Sequence, residues 1–414
     1  MRPRAVPPLP PLLPAALPAL VALLAACRTG APLPASTGVP PASPPALGFD
    51  STRLAAAADY LKAEAESGAF PGAVLAVGRH GRLALLAAVG RYGKGGDASD
   101  ARPVESTTIY DLASLTKVVG LTSACMLLVD QGKLALDAPA QHYVPEFRGD
   151  GKEAVTIRHL LTHSSGLPAW RALYQEADSR ATALWIVNTT PLATPPGKAY
   201  VYSDLGAIVL TEVVERITGE PLDAFLERRV FRPLGMPATR YLPPERWRER
   251  IAPTENDTSY RHRLLRGEVH DENAGRLGGV SGHAGLFSNA LDLSRFAAML
   301  LNGGSWDSVQ LIHSETVADF TRRQGIVSGS SRALGWDTPP DPPESTSSAG
   351  TKLSPRAFGH TGFTGTSLWI DPQKDLFIIL LTNRVHPTRS NTAILKVRPH
   401  VADLVVAALT HPEL

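Results

Sequence analysis

The sequence predicts an α/β (α+β) domain in which one sheet is built from both ends of the chain and a mostly helical stretch is inserted between them. Three observations lead there. Residues 73–77 and 83–89 are apolar runs separated by Gly78-Arg79-His80-Gly81-Arg82, the pattern of two strands joined as a hairpin. Residues 366–370 and 376–382 are strand-like and joined by a turn containing Pro372. The middle of the chain has helical spacing instead, clearest over 204–219 and 222–231.

The chain has 414 residues, 43% of them hydrophobic and 19% charged, enough to bury one large core or two modest ones. Residues 1–27 read as an export signal, with Arg2 and Arg4 as a basic start and an apolar stretch leading to Leu24-Ala25-Ala26-Cys27. Prolines leave only residues 19–27 unbroken, well short of the ~20 residues that a membrane span needs. Leu-Ala-Ala-Cys resembles the lipobox of bacterial lipoproteins, which makes Cys27 the lipidation site; an ordinary secretory signal with an incidental cysteine is the alternative. Without this segment 39 basic face 39 acidic residues, so no nucleic-acid or anionic-membrane surface is expected. The only other cysteine, Cys125, falls on an apolar helix and reads as a core residue.

Residues 28–48, rich in Pro, Ala, Ser and Thr and uncharged after Arg28, read as a spacer, and the body is expected to begin near Phe49. A helix is predicted over 51–67, stopped by Gly68, and another over 156–163, stopped by Ser164-Ser165-Gly166. Residues 90–99 form a polar, glycine-rich loop, 328–352 a Ser/Pro-rich mobile loop, and 401–409 a final helix. No internal repeat is present.

The chemistry is expected around Ile109-Tyr110-Asp111-Leu112-Ala113-Ser114-Leu115-Thr116-Lys117-Val118-Val119-Gly120-Leu121. An aliphatic run with helical spacing follows Ser114, which places the serine at or inside the first turn of a helix and Lys117 three residues on along the same face. Serine and lysine so spaced can hydrogen-bond, as a nucleophile and its base must. The positive end of the helix dipole disfavours an ammonium and would help Lys117 stay neutral. To act near pH 7 the amine must shift by roughly 3 units, about 4 kcal/mol, from its usual ~10.4. A helix-capping serine followed by a surface lysine fits the same letters.

Two further stretches bear reactive groups. Tyr202-Ser203-Asp204 follows the Pro195-Pro196-Gly197 loop and precedes a helix, so Tyr202 either projects a proton-carrying hydroxyl into a cleft or anchors its loop. His360-Thr361-Gly362-Phe363 precedes a strand. Its glycine either admits a substrate backbone, with a following N–H available to an oxyanion, or only bends the chain.

The order Ser-x-x-Lys, Tyr-Ser, His-Thr-Gly resembles the serine β-lactamase and penicillin-binding protein superfamily, in its class C β-lactamase, D,D-peptidase and family VIII esterase branch. The likeness runs from about residue 49 to 409. It includes Leu160-Leu161-Thr162-His163-Ser164-Ser165-Gly166-Leu167, Pro233-Leu234-Gly235-Met236 and Gly282-His283-Ala284-Gly285-Leu286.

The resemblance implies a β-lactamase/transpeptidase-like fold: an antiparallel sheet flanked by helices (about 49–113 and 290–409), an all-helical part (about 114–289), and an active site at their interface. It implies a serine hydrolase acting on an ester, peptide or amide. Ser114 is then the acylated nucleophile, Lys117 its base or relay, and Tyr202 the group that protonates the leaving group and activates water. The Ser114 and Phe363 N–H groups form the oxyanion hole, and Asp204, His360, Thr361, Gly362 and Phe363 line the substrate site. No cofactor or metal is implied. The expected partners are a small-molecule or peptide substrate and, through the N-terminal lipid only, a membrane; a monomer on the cell envelope is expected. A catalytically silent peptidoglycan- or penicillin-binding protein is the alternative.

Two departures weaken the β-lactamase activity itself. Asp204 stands where the branch has an amide-bearing Asn; an ionised carboxylate cannot donate and would favour an ammonium at Lys117, shifting the base role towards Tyr202. His360 stands where a lysine is common and would hold a substrate carboxylate less firmly. Rival chemistries lack their patterns: no Gly-x-Ser-x-Gly elbow occurs, and His270, Asp271 and His283 fit no common metal-ligand spacing, reading better as satisfied loop polar groups.

Overall fold

The structure, a computed structural model, describes residues 36–93 and 101–411. The export signal, Cys27 and most of the 90–99 loop lie outside the described residues. The strands of the central sheet are β1 (Gly72–Arg79), β2 (Arg82–Gly90), β3 (Phe358–Thr361), β4 (Ser367–Asp371) and β5 (Leu376–Thr382). They lie in the order β3-β4-β5-β1-β2, each antiparallel to its neighbour. The two ends of the chain meet where β1 pairs with β5, from Ala73 opposite Thr382 to Arg79 opposite Leu376.

Strand alternation sorts these central strands between two cores. Ala73, Leu75 and Val77 with Leu376, Ile378 and Leu380 face helices α1 (Ser51–Ser67) and α5 (Ile394–Ala407). Val74 and Ala76 with Phe377, Ile379 and Leu381 face the other way. That second core also takes in α2 (Ser123–Asp130), α3 (Asp204–Thr218) and α4 (Ala290–Leu301). With cover on both faces, every residue of β1 and β5 is buried. Local signals set the helix ends. Asp50 accepts the Arg53 N–H at 2.9 Å to start α1, and Gly68, at φ 99°, stops it in a conformation that side chains resist. Cys125 is buried and free, and burial pushes its thiol up to about 12.

Three stretches differ from the sequence reading. The final helix begins at Ile394, not 401, and runs through Pro399. Proline removes one hydrogen bond, but Ile394 and Val397 sit in the same core as Val401 and Val405, and that burial keeps the first turn helical. The second half of the expected spacer belongs to the body. Val39 and Leu47 are buried, Pro41 bridges to Leu83, and Ser36 Oγ donates to the Asp292 carboxylate. The 328–352 stretch, expected to be mobile, has no regular element yet buries Ala333, Leu334 and Trp336 completely. A segment without periodicity can still be pinned by a few apolar side chains, and these have no sequence pattern. Among the described residues no helix is long and apolar enough to cross a membrane.

Candidate active site

Ser114 lies on a short loop between a strand, Tyr110–Asp111, and a helix that opens with a π-helical turn, Lys117–Thr122, before running into α2. The loop is strained and heavily tied. Ala113 has φ 46°, costly for a residue with a Cβ, and Asp111 holds it there. One Asp111 oxygen accepts the Ala113 N–H at 2.8 Å and the other accepts the His270 N–H at 2.7 Å. The segment leading into β4 clamps the same loop. Thr364 Oγ1 donates to the Asp111 carbonyl at 2.7 Å and Thr366 Oγ1 to the Leu112 carbonyl at 3.0 Å. A Cβ on Gly362 would stand 2.4 Å from the Leu112 carbonyl oxygen. The glycine is therefore required by the approach of the loop that carries Ser114, a reason the sequence reading did not contain.

Lys117 is 3% exposed; its amine donates to Ser114 Oγ at 3.0 Å and to the His283 carbonyl at 3.0 Å, and forms an ion pair with Asp204 Oδ1 at 2.7 Å. A carboxylate at that distance favours the ammonium. Burial pulls the amine towards neutrality, but the Asp204 carboxylate and the Tyr202 hydroxyl outweigh it and hold the proton above the ordinary lysine range. The neutral lysine expected from the helix dipole is thus not what the site contains, because a carboxylate in contact acts far more strongly than a partial charge at a helix end. The turn presenting the His283 carbonyl is itself fixed: the His283 ring bridges Ser281 Oγ at 2.8 Å and Asp271 Oδ1 at 2.9 Å. His270 pairs with Glu255 at 2.8 Å. Both rings hold loops in place.

Tyr202 stands on a loop pinned by His163. The Val201 N–H donates to the His163 carbonyl at 2.9 Å, and the Ser203 N–H donates to His163 Nδ1 at 3.1 Å. Burial, with Arg332 and Lys117 nearby, keeps His163 well below the ordinary histidine range, so the ring is neutral and Nδ1 has a lone pair to accept with. The Lys117 amine lies 4.9 Å from the centre of the Tyr202 ring. The Tyr202 hydroxyl is withdrawn from solvent and has no hydrogen-bond partner of good geometry among the described residues. Asp204 opens α3, where the helix dipole favours a carboxylate.

Ser114, Tyr202, His360, Thr361 and Phe363 line one cavity of about 310 Å³, together with Arg332 and Asp337. Phe363 is 48% exposed at its rim and packs on the His270 ring and the Arg384 guanidinium. Among the described residues, neither the Ser114 nor the Phe363 N–H donates to a backbone acceptor. His360 Nδ1 lies 2.8 Å from the Thr361 carbonyl, which can only accept, so Nδ1 carries the ring proton. Burial, then Arg332 and Lys117, hold His360 well below its usual range. It is neutral, and the partial charge expected of it is absent.

All eight residues expected at the site therefore converge: six at this cavity, counting Gly362 through its contact with the Ser114 loop, and Lys117 and Asp204 as the ion pair beneath Ser114. Three others escaped the sequence reading, whereas His283 is the satisfied loop polar group expected of it. His163 stood inside a quoted motif whose periodicity said nothing of what its side chain holds. Asp111 stood three residues before Ser114 without a partner in sequence. Arg332 had no signal at all, because it sits in the stretch without pattern.

A profile of the family described as Beta-lactamase matches residues 57–402. A "Putative D-alanyl-D-alanine carboxypeptidase" of Salmonella typhi is 35% identical over 395 residues, covering 87% of this chain and 88% of that protein. Among solved structures, that of "EstCE1, a hydrolase with promiscuous acyltransferase activity" superposes with a TM-score of 0.66 at 22% identity, over 85% of this chain and 99% of that one. A penicillin-binding protein homologue from Caulobacter crescentus gives 0.68 at 21% identity, over 90% and 99%. The structural likenesses speak for the fold, and the family profile and curated relative for descent: this chain belongs to the β-lactamase family and is a serine hydrolase.

Proposed function

We propose that the chain is a D,D-carboxypeptidase-type hydrolase of the bacterial envelope, working through an acyl-Ser114 intermediate. The observation that carries this reading is the 3.0 Å hydrogen bond from a desolvated Lys117 ammonium to Ser114 Oγ, on the wall of a cavity shared with Tyr202. The 35% identity to proteins named for D-alanyl-D-alanine carboxypeptidase activity supports the substrate class. Ser114 Oγ attacks the scissile carbonyl as Tyr202, acting as the phenolate, takes its proton, and the oxyanion forms against the Ser114 and Phe363 N–H groups. Each such donor contributes roughly 2.7–4 kcal/mol in serine hydrolases. Collapse expels the leaving amine, which takes the proton from Tyr202. Water then enters and attacks the acyl carbonyl as its proton passes to Tyr202, and collapse returns that proton to Ser114 Oγ as the acid leaves. Lys117, fixed as an ammonium by Asp204, orients Oγ and keeps positive charge beside the phenolate. A lipid on Cys27 would tether the enzyme, as a monomer, to a membrane.

The test is to incubate the protein with a D-Ala-D-Ala peptide, a p-nitrophenyl ester and a fluorescent penicillin. Release of D-alanine and an acyl adduct mapped to Ser114 are expected. Ester turnover without D-alanine release would make it an esterase, and no adduct with any of the three would leave a binding protein.

A further inference from the structure

The turn that carries the Phe363 N–H is gripped from behind by two arginines that line no part of the catalytic cavity. Thr361 and Phe363 border both that cavity and a second one of about 210 Å³, which Arg384 and Arg398 help to line. Arg398, on α5, is 7% exposed, and its Nη2 donates to the Gly362 carbonyl at 2.6 Å and the Thr366 carbonyl at 2.9 Å. Arg384 Nε donates to the Phe363 carbonyl at 2.8 Å, while its Nη1 donates to the carbonyls of Arg389 and Asn391. The two peptide units flanking Phe363 are thus each bonded to a buried cation.

Geometry alone does not explain Arg398. The Gly362 carbonyl also accepts the Gly365 N–H at 3.0 Å, and the Gly362 N–H donates to the Thr366 carbonyl at 2.7 Å, so the turn closes with backbone bonds of its own. Burying a guanidinium is costly, and among the described residues no carboxylate touches this one. Burial, then the nearby Arg384, pull its pKa down to about 9, which leaves it cationic at neutral pH. What it adds is charge at one end of a peptide. The Gly362 C=O and the Phe363 N–H belong to a single planar trans unit and point in opposite directions. A cation on the oxygen fixes that plane and polarises the unit, which makes the N–H a stronger donor. Donors aimed at a developing oxyanion before reaction contribute most to its stabilisation.

We propose that Arg398 is a positioning residue for the reaction: from behind the turn it fixes and polarises the peptide between Gly362 and Phe363, and its charge reaches the oxyanion through the Phe363 N–H. This rests on Ser114 being acylated with the Phe363 N–H as an oxyanion donor. Acylation and deacylation both pass through an oxyanion, so both steps draw on it.

The experiment gives p-nitrophenyl acetate with an isotope-labelled carbonyl to the wild type, Arg398→Gln and Arg398→Lys. Steady-state kinetics read kcat and KM, and rapid-mixing infrared spectroscopy reads the carbonyl stretch of the acetyl-Ser114 adduct. In Arg398→Gln kcat should fall about 10-fold, the effect of losing one charge-assisted hydrogen bond, with KM little changed. The acyl carbonyl should absorb at higher wavenumber, because its oxygen accepts from a weaker donor. Arg398→Lys keeps a charge with a shorter reach. It should show smaller changes in the same directions, and it carries the test if the Gln variant does not fold. A carbonyl band that stays in place in a folded variant, whatever happens to kcat, overturns the inference and leaves Arg398 a structural tie. An adduct on Ser114 with an unmoved band overturns this inference alone. No adduct on Ser114 in the wild type overturns the nucleophile assignment and this inference with it.

Discussion

Lys117 and Arg332 both bring positive charge to the Tyr202 ring, at 4.9 and 5.4 Å, from opposite ends of the chain. The Lys117 amine donates to Ser114 and His283 and pairs with the Asp204 carboxylate, whereas Arg332 is stacked and packed but has two buried nitrogens without a hydrogen bond. A cation paired with a carboxylate has its protonation state and position set by that contact. One with buried nitrogens left unpaired is held by the rings and the chain packed around it. The contrast separates a charge fixed through its own bonds from one fixed by its surroundings.

The largest effect that would sharpen this contrast is at Ser114. Ser114→Ala should reduce turnover by roughly 10⁶-fold, the scale seen when a serine nucleophile is removed. Retained steady-state hydrolysis would place the nucleophile elsewhere. Lys117→Ala is next: it should cost several orders of magnitude in kcat. It should also destabilise the fold by about 3–5 kcal/mol, because Asp204 is left without its buried partner. Denaturant titration reads the second part, and an unchanged midpoint would mean that the pair is solvated.

Asp204→Asn probes the charge balance directly. With the carboxylate gone, burial becomes the dominant influence on Lys117 and its pKa falls. If the ammonium is the working form, the alkaline limb of kcat/KM should move to lower pH in this variant. A limb that stays in place, or activity that instead rises with pH, would return the base role to a neutral lysine.

The smallest effect concerns the histidines. His163 and His360 titrate below the ordinary range when folded, so the unfolded chain, protonating near ~6.5, binds more protons below that pH. Their contribution to stability is present above that value and is lost as pH falls through it, at up to about 1.4 kcal/mol per pH unit for each ring. Unfolding midpoints between pH 7 and 5 should fall less steeply in His360→Gln; an equal slope would show that this ring takes up protons in the fold as it does in the unfolded chain.

Much of this was legible early, for identifiable reasons. Continuous apolar runs at 73–77 and 376–382 announced central strands, and Gly68 announced a helix end, because those signals act over a few residues. Ser114 and Lys117 were readable as a pair since one helical turn joins them. What Asp204 would do to Lys117 was foreseen as a chemical consequence, but the 2.7 Å contact that decides it was not.

The sequence by itself determined which elements form, which side chains carry chemistry and, through the order of three short motifs, the family. Tertiary structure alone decided the states of those side chains. The ammonium on Lys117, the neutral rings of His163 and His360 and the unpaired nitrogens of Arg332 depend on burial and on neighbours far away in the chain. Periodicity and propensity report contacts within a few residues. A protonation state is set by charges a few ångströms apart in space, and those distances exist only once both ends of the chain have closed into one sheet.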